Sequence, residues 1–205
     1  MKIGVLALQG DCPEHEIAIE RAARKLNLDV STARVKSKAD LSDISGIVLP
    51  GGESTTIGRL LKRTGLLEPL REELERGLPA LGTCSGAVLL ASEVRDRVVR
   101  EVSQPILRVM SIEVLRNAFG RQRESFEATV EVEGVGQIRG AFIRAPVIVR
   151  VWGAARPLAR IEHPLTGSVI AVAIENNMIA SIFHPEVTGE IGLHALLLDL
   201  ARGRL

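Results

Sequence analysis

The sequence predicts an α/β fold: a three-layer α/β/α arrangement around a mainly parallel central sheet, with a strand-rich second half. Three observations point there. Ile3 to Leu8 is a continuous apolar run, as expected of a parallel strand buried on both faces. Strand and helix patterns alternate from there to Val94, which implies right-handed crossovers. Beyond Leu107 the pattern changes to short β-rich runs separated by Gly or Asn.

Taken in order, Pro13 to Leu26 reads as a helix, with Ala18, Ala22 and Leu26 at i, i+4 and i+8 and Ile19 and Ala23 beside them. Leu28 to Thr32 and Ile44 to Leu49 are the next strands, the second stopped by Pro50-Gly51-Gly52. Helices over Thr55 to Lys62 and Leu67 to Arg76 return the chain to a strand at Pro79 to Thr83. Ser85 to Val94 reads as a helix. Strands are expected at Leu107–Leu115, Phe126–Val132, Gln137–Ile143, Val147–Trp152, Ala159–Glu162, Val169–Glu175 and Met178–Phe183, with a hairpin turn at Glu175-Asn176-Asn177. The closing helix runs from Thr188, its expected N-cap, to Ala201.

The 205 residues, 46% hydrophobic and 25% charged, suit one domain over 1–205 that needs no disulfide or metal to fold. With 26 basic against 25 acidic side chains, the net charge of +1 gives no electrostatic case for nucleic acid or an anionic membrane. Phe119, Phe126, Phe142, Phe183 and Trp152 are too few aromatics for base stacking. No apolar run approaches the length of a membrane span, and the N-terminus lacks the features of a signal peptide. Two cysteines cannot form a disulfide framework, so the expected compartment is the reducing cytoplasm.

The strongest chemical signal is Gly82-Thr83-Cys84-Ser85-Gly86, a G-x-C-x-G run where a strand passes into a helix. It is the thiol counterpart of the G-x-S-x-G nucleophile elbow: a tight turn lifts the nucleophile above the sheet edge, and flanking glycines avoid collisions. The alternative, Cys84 as a small buried hydrophobe, leaves the paired glycines unexplained. A thiol needs a base, and His184-Pro185-Glu186 follows an apolar strand. In extended chain, i and i+2 point the same way, so Glu186 can orient the His184 ring. Taken alone this segment would equally be an ordinary loop. His15 and His194 lie inside helices, where packing or surface roles are expected, and His163 precedes Pro164 in a turn. Pro50-Gly51-Gly52-Glu53-Ser54 matches neither phosphate-loop spacing, and Gly51 or Gly52 opposite the Ser85 N–H suits an oxyanion hole better.

In that order, the Pro-Gly-Gly strand end, the thiol elbow and the late His-Pro-Glu resemble the triad (class I) glutamine amidotransferases, whose fold is flavodoxin-like. Further strings resemble the glutaminase subunits of pyridoxal 5'-phosphate synthase. They are Leu6-Ala7-Leu8-Gln9-Gly10 with Glu14-His15, Gly51 to Thr55, Arg116 to Gln122 with Ser125-Phe126-Glu127, and Phe142 to Pro146. The resemblance implies Cys84 as nucleophile with His184 and Glu186 completing the triad. It implies Gly52, Glu53, Ser54, Arg116, Ile143 and Arg144 as contacts to L-glutamine, and Gln9 near a partner interface where it helps form the oxyanion site. It also implies that ammonia passes to a separate TIM-barrel synthase subunit, in a complex of twelve copies of each chain, with no cofactor or metal in the glutaminase. Ser85 stands where the family usually has alanine, and Asp11-Cys12-Pro13 departs from the usual residues. Without the resemblance, the Arg-rich stretch from Arg116 to Arg123 reads as a solvated strand-to-loop segment. Two alternatives stay open: a free-standing thiol hydrolase of the same fold, and the glutaminase of another amidotransferase.

Overall fold

The computed structural model describes residues 1–97, 100–101, 103–119, 125–163 and 167–203. The first half alternates as the apolar pattern requires: β1 (Lys2–Leu6), α1 (Cys12–Lys25), β2 (Ser31–Val35), β3 (Gly46–Leu49), α2 (Ser54–Arg63), α3 (Leu67–Glu75), β4 (Ala80–Thr83) and α4 (Ser85–Leu90). Every residue of β3 and β4 is buried, the signature of strands covered on both faces. The second half is β5 (Ala91–Asp96), β6 (Arg100–Glu101), β7 (Met110–Arg116), β8 (Phe126–Val132), β9 (Gly136–Phe142), β10 (Val147–Val151), β11 (Arg156–His163), β12 (Gly167–Glu175), β13 (Met178–Ser181) and the closing α5 (Gly192–Arg202).

These strands form one mixed sheet in the order β2-β1-β3-β4-β13-β12-β10-β7-β5-β6, with β11 paired to β12; β8 and β9 make a separate hairpin. From β2 to β13 every pairing is parallel, and at β12 the sheet turns antiparallel. One helical layer is α1 packed with α5; the other joins α2 to α3 and α4. Because β1, β3, β4 and β13 run the same way, the loops after them meet at one edge. Those loops hold Gln9 to Asp11, Gly51 to Glu53, Cys84 and His184. Among the described residues no helix is long and apolar enough to cross a membrane.

Several expectations shift. The helix expected over Ser85 to Val94 ends at Leu90, where Ala91 turns to extended backbone (φ −61, ψ 144). Ala91 to Asp96 pairs with β7 instead, and its exposure alternates with period two, a pattern that only the distant partner strand decides. The second strand begins at Ser31, because Leu28 N–H still bonds back to Ala23 at 2.9 Å. Thr188 is not a helix cap: α5 starts at Gly192 after Ile191, and the Thr188 hydroxyl bonds backbone carbonyls of Arg139 and Pro185. The β6 edge and a single 3₁₀ turn at Lys38–Leu41 had no sequence expectation. Of the Arg116 to Gln122 string, Gly120, Arg121 and Gln122 lie outside the described residues, as do Arg123 and Pro164.

An aromatic cluster ties the separate hairpin to the sheet. Phe142 at the end of β9 is fully buried, stacks on Phe126 (centroids 4.7 Å, 2° apart) and meets Phe119 and the Phe183 ring at 5.8 and 5.2 Å. Phe183 and Phe142 each precede a cleft segment, so this cluster also fixes the position of His184 and of Ile143-Arg144. Phe142→Ala should lower unfolding stability by about 3–5 kcal/mol, the usual cost of emptying a buried aromatic site, as measured by urea denaturation.

Candidate active site

The converging loops enclose an open cleft of about 580 Å³. Its wall carries Gln9, Gly51, Gly52, Glu53, Ser54, Cys84, Ser85, Arg116, Ile143, Arg144 and His184, so every residue singled out from sequence except Glu186 faces it. Glu186 lies immediately behind His184 with a fully buried side chain.

Cys84 joins β4 to α4 with φ +49 and ψ −102, a conformation that costs a non-glycine residue energy and persists only where its surroundings enforce it. They do. A Cβ on Gly86 would sit 2.0 Å from the Leu49 carbonyl oxygen, and one on Gly82 would sit 2.6 Å from the Gly86 carbonyl carbon. The elbow is further tied down where Cys84 N–H donates to Ser181 O at 2.7 Å. The Ser85 hydroxyl donates to Pro50 O at 3.1 Å, so serine at this position adds a tether between the elbow and the β3 loop.

His184 is held from both sides. Its backbone forms a two-way bridge to Ala141 of β9, at 2.9 and 3.2 Å. Its Nδ1 lies 2.7 Å from Glu186 Oε1 and 3.2 Å from Asp11 Oδ2. Burial opposes a charge on this ring, but hydrogen bonds to Asp11, to the Cys84 sulfur as acceptor and to Glu186 outweigh it and hold His184 well above the ordinary histidine range. Burial pushes Glu186 up to about 7, partly offset by His184 and reinforced by Asp11. For Asp11, burial also works against ionisation, but hydrogen bonds with His184 and Glu186 keep its carboxyl well below the usual range. Behind His184 and Glu186, His15 and His194 are completely buried. Their rings share a hydrogen bond of 2.9 Å, and His15 Nε2 meets Thr83 Oγ1 at 3.1 Å. Burial lowers His15 to about 4 and His194 well below its ordinary value, so both are neutral packing groups at pH 7. The packing expectation holds for them, and the surface one does not.

The opposite wall is charged. Glu53 caps α2, accepting the Thr55 and Thr56 amides at 3.0 and 2.7 Å. Burial raises its carboxyl, but bonds from Thr56 and Thr55 bring it below the ordinary value. Arg116, at the end of β7, donates to Gln104 at 2.5 Å, Thr55 at 3.0 Å and Glu53 at 3.2 Å, with Asp96 at 3.8 Å. Ser54 is buried against Gln104, while Gln9 Oε1 accepts the Glu53 amide at 2.9 Å. Arg144 is exposed at the mouth in a left-handed conformation, φ +48. Sequence reasoning did not single out Asp11 or Gln104 as site residues. Asp11 appeared only as a departure from the family pattern, and Gln104 had no signal, since its role depends on folding β7 beside α2.

Comparison with known proteins shows what the whole chain resembles. The family described as SNO glutamine amidotransferase matches residues 5–199. A protein of Pyrobaculum aerophilum named pyridoxal 5'-phosphate synthase subunit PdxT is 54% identical over 204 residues, all of both chains. A protein of the same name from Hyperthermus butylicus is 55% identical over 98% of each chain. A crystal structure titled as a glutamine amidotransferase superposes with a TM-score of 0.82 at 41% identity, covering 98% of both chains. A Thermotoga maritima glutamine amidotransferase, 16% identical with a TM-score of 0.58 over all of this chain and 86% of its own, shares the fold.

A methyl group on Gly51 would fall 2.1 Å from His184 Cε1. Gly51→Ala should therefore turn the ring out of register with Glu186. Alkylation of Cys84 by iodoacetamide at neutral pH is expected to slow by roughly tenfold once the ring no longer faces the thiol, measured by mass spectrometry of the modified thiol.

Proposed function

Because this chain belongs to the SNO glutamine amidotransferase family, we propose that its cleft hydrolyses L-glutamine to L-glutamate and ammonia through Cys84, His184 and Glu186. The observation that carries the proposal is the shared cleft: a cysteine forced into a left-handed elbow, and a histidine whose Nδ1 is fixed on Glu186 at 2.7 Å.

The steps follow from the geometry. Nδ1 is occupied by carboxylates, so Nε2 is the ring nitrogen available to the thiol. With His184 already carrying the proton of the thiol–imidazole pair, the Cys84 thiolate attacks the side-chain carboxamide carbon. The oxyanion is met by backbone N–H groups of Ser85 and of Gly51 or Gly52. His184 then gives its proton to the departing nitrogen, releasing ammonia and leaving a glutamyl thioester. The neutral ring next accepts a proton from water, and the hydroxide formed releases glutamate and restores the thiolate. On the substrate side Gly52, Glu53, Ser54, Arg116, Ile143 and Arg144 hold the amino-acid end, and a guanidinium suits a carboxylate.

The relatives named PdxT are subunits of pyridoxal 5'-phosphate synthase, and this chain takes the same place as its glutaminase subunit. In this reading it is a single cytoplasmic domain that feeds ammonia to the synthase subunit in an assembly with twelve copies of each. It uses no cofactor or metal, and binds neither nucleic acid nor membrane. Gln9, already bonded to the Glu53 amide, would be the contact through which the partner acts on the oxyanion loop.

Glutamate release from L-glutamine should be weak for the chain alone and strongly stimulated by the synthase subunit. Cys84→Ala should abolish it, and His184→Asn should lower kcat by roughly three orders of magnitude or more. Turnover indifferent to the partner would instead identify a free-standing hydrolase, and silence with the partner present would overturn the assignment.

A further inference from the structure

His184 Nδ1 faces two carboxylates, and a triad needs one. Asp11 Oδ2 lies 3.2 Å from Nδ1 beside Glu186 Oε1 at 2.7 Å. The two acids come from opposite ends of the chain, Asp11 from the loop before α1 and Glu186 from the turn after β13. Carboxylate oxygens of Asp11 and Glu186 and a ring nitrogen of His15 all lie within 4.8 Å of one another. Asp11 Oδ1 and Glu186 Oε2 are buried and have no hydrogen-bond donor.

Two ionised carboxylates this close, each with an unsatisfied buried oxygen, repel one another and forgo hydrogen bonds that burial makes costly to lose. A single proton between them removes both penalties. A divalent cation would also satisfy the oxygens, but His15 Nε2 is already engaged by Thr83 Oγ1 at 3.1 Å and Glu186 Oε1 by His184, which leaves Asp11 Oδ1 and Glu186 Oε2, fewer ligands than a held divalent ion takes. We propose that Asp11 is a second positioning residue for His184. It shares one proton with Glu186, so that the imidazole rests against a single negative charge carried on two arms. The proposal rests on the thiol–imidazole reading of the cleft given above.

The ionisation pattern agrees. Burial and Asp11 both raise Glu186, while Asp11 stays ionised. The other titratable groups facing the pair among the described residues are His15 and Cys12 from α1, His194 from α5 behind it, and Cys84 at the elbow; the two helix histidines are neutral, and burial and Asp11 push the Cys12 thiol up so that it adds no charge. The only positive charge within reach is therefore His184 itself. Removing one acid leaves the other free to ionise fully and take over the charge, whereas removing both strips His184 of its counter-charge.

The test is a double-mutant cycle on the full chain, reading the rate of Cys84 alkylation by iodoacetate against pH; the reagent's carboxylate is drawn to the His184 imidazolium, so the rate falls once that proton is lost. This readout needs neither glutamine nor the synthase subunit. Asp11→Asn alone should change the rate only a few-fold, and Glu186→Gln alone should leave a bell-shaped profile. In the Glu186→Gln background, adding Asp11→Asn should move the alkaline limb, where His184 loses its proton, down by about one pH unit or more. The sign follows because a histidine held above its ordinary range by anions loses its proton earlier once they are gone. Glu186→Gln with Asp11→Glu keeps a carboxylate on the loop and should restore the limb, which separates charge from shape or misfolding. An Asp11→Asn change without effect in the Glu186→Gln background would overturn the proposal, as would failure of Asp11→Glu to restore the limb. A normal cycle in a chain that releases no glutamate with its partner would leave Asp11's role standing and sink the glutaminase assignment instead.

Discussion

The cleft depends on how closely three backbones approach one another, and that approach is a matter of missing side chains. Gly10 passes so near Gly51 that a Cβ on it would lie 2.0 Å from the Gly51 carbonyl oxygen, and Gly51 in turn lies against the His184 ring. Gly86 lies just as close to Leu49 at the end of β3. The parallel order of β1, β3, β4 and β13 carries four loops to one edge, but parallel strands stand about 4.8 Å apart, and larger side chains would hold the loops open. With glycine at these points, Cys84, His184, Gly51, Gly52 and Ser85 line one cleft. The strain at Cys84 is maintained by the same contacts, since the elbow cannot relax without driving Gly86 into Leu49.

The electrostatics have a comparable economy. A buried imidazolium is costly unless its charge is matched, and here the match comes from the carboxylates of Asp11 and Glu186. The layer behind them is kept neutral. Burial lowers His15 and His194, so they donate and accept hydrogen bonds without adding a positive charge that would compete with His184 for the acids. His15 reaches Glu186 Oε1 at 3.5 Å and Thr83 at 3.1 Å, linking α1 to the end of β4 beside Cys84. The packing of α1 against α5 thus bears on how Glu186 and the His184 ring beside it are held.

Local chemistry was legible in the sequence; partnership across the fold was not. Gly82-x-Cys84-x-Gly86 announces an elbow because its glycines answer to neighbours within a few residues. His184 and Glu186 are legible because extended backbone alternates. Asp11 was visible only as an oddity, since its meaning depends on His184, 173 residues away. Gln104 was silent for the same reason. The fold shows the same division. Buried runs such as β3 and β4 declare themselves by composition, whereas Ala91 to Asp96 has the residues of a helix continuation and becomes a strand only because Met110 to Arg116 lies beside it. Thr188 looks like a cap, but its hydroxyl is drawn to Arg139 in the β8–β9 hairpin.

The charged wall opposite the thiol bears on what the cleft is shaped to receive. Arg116 is not a loose arm awaiting an anion: its side chain is 17% exposed and already bonded to Glu53, Gln104 and Thr55. Glu53 in turn is held by the first amides of α2 and keeps its charge to low pH. The cleft therefore offers a fixed positive group beside a fixed negative one. In the proposed reaction this pair complements the α-carboxylate and α-ammonium of an amino acid, two opposite charges on one carbon. A monoanion would gain from Arg116 and lose to Glu53, and a cation the reverse. Glycines hold the reacting side tight and an ion pair holds the recognition side rigid, so the one variable left to a bound amino acid is the length of the chain joining its charged end to the group presented to Cys84.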